Sequence, residues 1–329
     1  MTAPRFILPG LLCACVLALS APAFSAPATT VYSTTFDTDE NYNDANELIG
    51  QNGWIGEGTG GNGLLNDRFP NEGQQAYVGF YEPLNDGELS LSAWHPINYA
   101  PLTENKPIVT FTTTMEIVDS TNGKRDDFRW SVYNSSAQRL FTLSFNNHTA
   151  EICYVLDDGM GFQPTPYSFL RDTIYDLEIV MNFQNNVWSA KLDSTLLLEN
   201  QPITTAGSTL DLGDVDAVWY YIDPEATGDN FMAFDNYTIT AGVAPTPAPT
   251  VRIVERQQDG SALVRLSGEP DATYIIEVSD ELSNWVELKT GTSNDGVIEH
   301  LDTGAANAPK RFYRGRLAEQ PAQSSQQPH

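Results

Sequence analysis

The stretch Tyr175-Asp176-Leu177-Glu178-Ile179-Val180-Met181-Asn182-Phe183-Gln184-Asn185-Asn186-Val187-Trp188-Ser189-Ala190-Lys191-Leu192-Asp193 decides the fold class. In its first half Tyr175, Leu177, Ile179, Met181 and Phe183 alternate with Asp176, Glu178, Val180 and Asn182. A period of two puts one set on a buried sheet face and the other toward water. Gln184-Asn185-Asn186 supplies a turn, because Asn tolerates positive φ and bonds its own backbone. Val187 to Asp193 then returns as the partner strand. Working outward, strand patterns recur at Val31–Phe36, Leu89–Trp94, Ile108–Ile117, Phe128–Tyr133, Leu140–Phe145, Ala217–Ile222 and Phe231–Thr240. No segment sustains a capped 3.6-residue apolar period, so the chain is expected to be all-β.

The ends of the 329-residue chain are different in kind. Arg5, the apolar run Phe6–Leu19 and the small residues Ala21, Ala23, Ser25 and Ala26 read as a cleaved secretory signal over residues 1–26. That run is shorter than the ~20 residues a membrane span needs. The protein is therefore expected to be secreted or at the cell surface, with no membrane insertion. Gly242–Thr250 is Pro-rich and reads as a linker over 242–250. It separates a large domain, 27–241, from a small one, 251–317. Residues 318–329 are polar and read as a disordered tail. Loss of the signal removes Cys13 and Cys15, leaving Cys153 and no possible intramolecular disulfide. The pattern Ile152-Cys153-Tyr154-Val155-Leu156 predicts a buried, structural thiol.

Acidic residues outnumber basic ones 43 to 17, a net charge of −26. The excess is concentrated: Pro27–Thr250 holds 31 acidic and 8 basic residues, Val251–Leu317 holds 11 and 8. A large domain of that sign excludes nucleic acid and anionic membrane as partners. It suits a salty medium, where repulsion is screened, or bound divalent cations.

The large domain resembles the concanavalin A-like lectin/glucanase superfamily, in its laminin-G-like jelly-roll form. Tyr32-Ser33-Thr34-Thr35-Phe36-Asp37, Gly50-Gln51-Asn52-Gly53-Trp54, the hairpin ending at Asp193, and Phe234-Asp235-Asn236-Tyr237-Thr238-Ile239 carry the resemblance. It implies a jelly-roll β-sandwich with first and last strands side by side, and a carbohydrate ligand: a polysaccharide or a cell-surface glycan. The small domain resembles a fibronectin type III-like module, an antiparallel β-sandwich, through Ile276–Trp285 and Arg311-Phe312-Tyr313-Arg314; Trp285 is expected to be a buried anchor. Hydrolases of the superfamily carry Glu-x-Asp-x-Glu on one strand. The nearest match, Met115-Glu116-Ile117-Val118-Asp119, puts its carboxylates on opposite faces. Lyases of the fold use Arg-x-Glu, which is absent before the linker. No catalytic residue is assigned, and the expected function is noncatalytic glycan binding or adhesion. A polysaccharide-degrading enzyme with an unrecognised site, or a purely structural surface protein, are the alternatives.

Three candidate sites follow. The resemblance implies calcium between the first and last strands, with Asp37 and Asp235 as metal ligands and backbone oxygens completing the shell. Trp94 and Tyr220 are candidate carbohydrate contacts, since sugar rings stack on aromatic faces; in Trp219-Tyr220-Tyr221 the middle residue takes the face opposite its neighbours. Arg129, alternating with Phe128 and Trp130, should point away from the core. Its fork suits a carboxylate or sulfate unless Asp126 or Asp127 pairs with it. Asp223, Glu225 and Asp229 read as a solvated loop. Gly56–Gly63, with glycines at 56, 58, 60, 61 and 63, reads as a flexible loop that could rim a site.

Overall fold

The computed structural model describes residues 28–243 and 248–318. The expected signal over 1–26 and nearly all of the expected tail lie outside the described residues. The described chain divides into two compact units, one within Ala26–Ala244 and one beginning at Pro245.

The larger unit contains fifteen strands. They are β1 (Thr29–Thr34), β2 (Ile55–Glu57), β3 (Asn62–Asn66), β4 (Gln74–Gly79), β5 (Ser90–Trp94), β6 (Ile108–Val118), β7 (Asp127–Tyr133), β8 (Arg139–Asn146), β9 (Glu151–Leu156), β10 (Gln163–Ser168), β11 (Ile174–Asn182), β12 (Val187–Leu192), β13 (Thr195–Pro202), β14 (Asp214–Tyr220) and β15 (Phe231–Gly242). One antiparallel sheet runs β13-β12-β11-β6-β15-β4-β3, with β1 also paired to β15. The other runs β10-β9-β8-β7-β14-β5-β2. Consecutive strands cross between sheets at β1 to β2, β2 to β3, β4 to β5, β5 to β6, β6 to β7, β10 to β11, β13 to β14 and β14 to β15, giving a jelly-roll β-sandwich.

The core lies between the sheets. Leu177, Ile179 and Met181 on β11 and Trp188 on β12 are fully buried, as their alternation predicts. Trp188 stacks on Phe141 of the facing sheet, centroids 3.9 Å apart. Trp130 meets Phe111, Phe234 and Tyr237 of the facing sheet in tilted and edge-on contacts. Two polar tips in the core are bonded: Tyr237 donates to the Val215 carbonyl at 2.9 Å and the Trp54 indole to the Tyr42 hydroxyl at 3.0 Å.

The smaller unit has β16 (Thr250–Arg256), β17 (Ala262–Ser267), β18 (Thr273–Ser279), β19 (Val286–Thr292), β20 (Val297–Asp302) and β21 (Phe312–Leu317). They form two three-stranded antiparallel sheets, β16-β17-β20 and β19-β18-β21, over a core of Val264, Leu266, Tyr274 and Ile276. β15 continues through Gly242 and β16 starts at Thr250, so both enter the segment expected as linker. No helix among the described residues is long and apolar enough to cross a membrane.

Three expectations are corrected. Gly56–Gly63 is not a flexible loop: it contains β2 and the start of β3. A Cβ at Gly61 would lie 1.7 Å from the Gly79 carbonyl oxygen, and Gly58 has φ +87° against Ser90, so close backbone approach requires the glycines. Cys153 is half-buried on the outer side of β9, while Ile152 takes the core. Trp285 is also half-buried, with the Arg314 guanidinium 4.3 Å from its ring, instead of anchoring the small core.

Candidate functional site

Alternation sorts the seven-stranded sheet into two faces. Phe128, Trp130 and Val132 on β7 and Val215, Ala217 and Trp219 on β14 enter the core. Arg129 and Tyr220 therefore stand on the outer face. On β5, Leu91 and Ala93 point inward, so Ser92 and Trp94 share that outer face. The three residues proposed from sequence to meet carbohydrate thus lie on one surface.

One rung crosses the whole sheet: Glu57, Ser92, Val218, Arg129, Ser144, Cys153 and Pro164 are successive cross-strand partners. Arg129 is the longest side chain of that rung, set between the short Val218 and Ser144. On a neighbouring rung Tyr220 pairs with Ser90 and Asp127. Its ring lies under the guanidinium, 3.6 Å from centroid to Cζ. Phe162, just before β10, comes within 4.8 Å of the same carbon. The guanidinium is held by two aromatic rings.

Arg129 does not form the ion pair that sequence allowed. Asp126 accepts from the backbone N–H groups of Ile222 (2.9 Å) and Gly228 (2.7 Å), tying down the loop after β14. Asp127 accepts from Asn147 N at 3.1 Å. Among the described residues no carboxylate comes within 4.0 Å of Arg129, and its Nε is buried without a partner. Burial lowers its pKa, against the opposing pull of Asp127 and Tyr220. Two other cations of this region are engaged: Arg125 grips Asp119 through two bonds of 2.7 and 2.8 Å, and Arg139 donates to the Leu156 carbonyl at 3.2 Å. Glu116, from the nearest match to a hydrolase motif, is clasped by Arg68 at 2.6 Å on both oxygens.

Sequence reasoning passed over a second feature of this face. Asp214 and Asp216 share the outer side of β14 with Tyr220. Their carboxyls sit in the same buried surroundings, and the charge of Asp214 adds to the effect of burial on Asp216. Burial raises both pKa values, and Asp216, 5% exposed with Oδ1 lacking a partner, is raised most. The signal was present in Asp214-Val215-Asp216-Ala217-Val218-Trp219-Tyr220, where acid recurs at period two opposite apolar residues. Phe162 carried no such signal, because only the return of the chain into β10 brings it over Arg129.

Of the proposed metal ligands, Asp37 follows β1 and Asp235 lies within β15, an interior strand of the eight-stranded sheet; both reach the turn before β4 and its first residues. Asp37 Oδ1 accepts from Gln74 N (2.9 Å) and Oδ2 from Thr35 Oγ1 (3.2 Å). Asp235 is fully buried; Oδ1 accepts from Asn236 N (2.6 Å) and Oδ2 from Gln75 Nε2 (3.4 Å). Burial, then the charges of Asp37 and Glu72, push Asp235 up to about 7. All four oxygens already face hydrogen-bond donors. Among the described residues no group of three or more His, Cys, Asp or Glu is placed to hold a metal ion. Asp229 of the other acidic cluster accepts from Ser120, Thr121 and Asn122 and pins that loop.

No protein-family model matches the chain, and no curated protein does. Among solved structures, similarity is found to a sialidase (6% identity, TM-score 0.44, 64% of this chain but 18% of the sialidase). It extends to the conserved carbohydrate esterase of the Shiga toxin-encoding bacteriophage phi24B (11%, 0.44, 65% of this chain and 99% of the esterase). The basic winged bean lectin with Tn-antigen is a third (9%, 0.42, 60% and 95%). The chain spans less than a fifth of the sialidase's length. At such scores and identities these likenesses say nothing of ligand or chemistry.

Proposed function

We propose that this is a noncatalytic carbohydrate-binding or adhesion protein, acting outside the cell, that holds glycan on the outer face of its seven-stranded sheet. The observation that carries the reading is Arg129, capped by Tyr220 and Phe162 and paired with no carboxylate, on the face that also presents Trp94. Half-exposed aromatic rings offer apolar platforms to sugar C–H faces, and an unpaired guanidinium offers directional donors to oxygen. Export rests on the leader pattern in residues 1–26, and the fibronectin-like reading of the smaller unit rests on its two three-stranded sheets.

The test is native electrophoresis of the mature chain through gels containing different polysaccharides, stained for protein and for polymer. Retardation without clearing, abolished in Arg129→Ala and weakened in Trp94→Ala, is the expected result. A cleared zone would replace this reading with a polysaccharide-degrading enzyme, and the Asp214–Asp216 pair would be the first place to look. Unchanged mobility of a folded protein in every gel would leave a structural surface role.

Calcium assistance at Asp37 and Asp235 is a separate proposal. Its support is the accumulated charge around Asp235, which a divalent ion would relieve if Gln75 swung its amide aside.

A further inference from the structure

We propose that the glycan bound on this face carries a single carboxylate, as on a uronic or other sugar acid, seated against the edge of the Arg129 guanidinium, with neutral rings to either side. The inference rests on the glycan-binding reading and narrows it to a ligand class.

The Tyr220 and Phe162 rings lie 3.6 and 4.8 Å from the guanidinium carbon, so a ligand must meet the N–H groups that these rings leave free. A carboxylate matches the guanidinium fork with two parallel N–H···O bonds, which a neutral hydroxyl cannot do. The rings also fix the side chain's orientation, so little rotamer entropy is lost on binding. A largely buried cation without an ion pair is unfavourable by itself. Nearby carboxylates form no ion pair with it: Asp126 and Asp127 are turned to backbone donors, and neither Asp214 nor Asp216 comes within 4.0 Å. On the same rung the immediate neighbours are Val218 and Ser144, neither of which carries a charge to pair with it.

The surrounding charge limits how many anions can follow. This unit holds 31 acidic against 8 basic residues, and Asp127, Asp216 and Glu57 occupy the same outer face. At physiological salt, charges interact over about 8 Å. One carboxylate on Arg129 is locally compensated, whereas a polymer charged on every ring would set its further anions against Glu57 and the acidic excess of the whole unit. A sugar acid within an otherwise neutral chain fits both constraints.

The probes are short oligosaccharides ending in glucuronate, galacturonate or N-acetylneuraminate, each beside its own methyl ester, titrated calorimetrically into the mature protein. At least one acid is expected to bind roughly ten- to hundred-fold tighter than its ester. The preference should vanish in Arg129→Gln and survive only partly in Arg129→Lys, with thermal melts reporting that both variants fold. The ester comparison itself needs no variant. Equal affinity of every acid and its ester overturns the inference. If a neutral polysaccharide is nevertheless retarded in the gels, glycan binding stands and only the carboxylate falls; with no retardation, both fall. An acid preference that persists in Arg129→Gln also overturns it, since the anion then sits elsewhere. Tight binding of heparin would refute the single-charge limit.

Discussion

Asp235→Asn should reverse the sign of its effect on stability between acid and alkaline pH. The Asp235 side chain is wholly buried at the irregularity where β15 shifts register between Asp235 and Thr238. In the unfolded chain its carboxyl titrates near 3.8; in the fold, burial first and the charges of Asp37 and Glu72 next carry it to about 7. Between those values the folded protein holds a proton that the unfolded chain has released. Stability therefore falls as pH climbs from about 4 to about 7 and is level above that. The full displacement corresponds to about 4 kcal/mol against the ionised form, and polar surroundings and relaxation cut it to about 2 kcal/mol. Asn cannot ionise, but its amide would face the Gln75 amide across the present 3.4 Å contact, costing about 1 kcal/mol. The variant should be about 1 kcal/mol less stable than the parent at pH 4 and about 1 kcal/mol more stable at pH 8. Urea unfolding of the mature chain at the two pH values, followed by tryptophan fluorescence, measures this. Five of the six tryptophans lie in the larger unit, so the signal reports that unit. Curves for parent and variant that keep the same separation at both pH values would refute the assignment of a displaced carboxyl to Asp235.

If calcium binds at Asp37 and Asp235, millimolar calcium should raise the melting temperature of the parent at pH 8 and leave Asp235→Asn unmoved; no shift in the parent refutes the calcium proposal. Arg68→Ala strands the Glu116 carboxylate, 4% exposed and now held at 2.6 Å, and should cost about 3–5 kcal/mol, with Glu116→Gln added to Arg68→Ala recovering part of it in equilibrium unfolding. Trp188→Ala empties the space stacked on Phe141 and should cost about 3–5 kcal/mol, read as a lower denaturant midpoint. Gly61→Ala drives a methyl into the Gly79 carbonyl, and loss of amide-exchange protection around β3 and β4, with the β6–β15 pairing retained, is the expected result.

Strands inside a sheet were legible because they have two neighbours and one buried face, which forces strict alternation. The hairpin from Tyr175 to Asp193 formed where its pattern put it, with Leu177 paired to Leu192 and Asn182 to Val187. The strands that escaped detection sit mostly at the ends of the sheets, namely β2, β3, β10, β13, β16 and β20, with β4 the interior exception. An edge strand has one partner and little burial. Gln163-Pro164-Thr165-Pro166-Tyr167-Ser168 can therefore carry two prolines and no apolar alternation yet still pair with β9. Trp285 and Cys153 were misplaced for a related reason: residue type reports a preference for burial, while the sheet decides which side the residue faces.

By itself, the order of residues determined the all-β class, the alternation that sends Arg129 and Tyr220 out of the core, and the acidity of the larger unit, because these depend on neighbours in sequence and on composition. Only tertiary structure decided that Trp94, Arg129 and Tyr220, drawn from three strands far apart in the chain, would share one face. It also decided that Phe162 would close over the guanidinium and that Asp126 and Asp127 would spend their oxygens on backbone donors. The physical reason is that cross-strand register and the direction of a returning turn are set by packing across the whole sandwich, which no local pattern encodes.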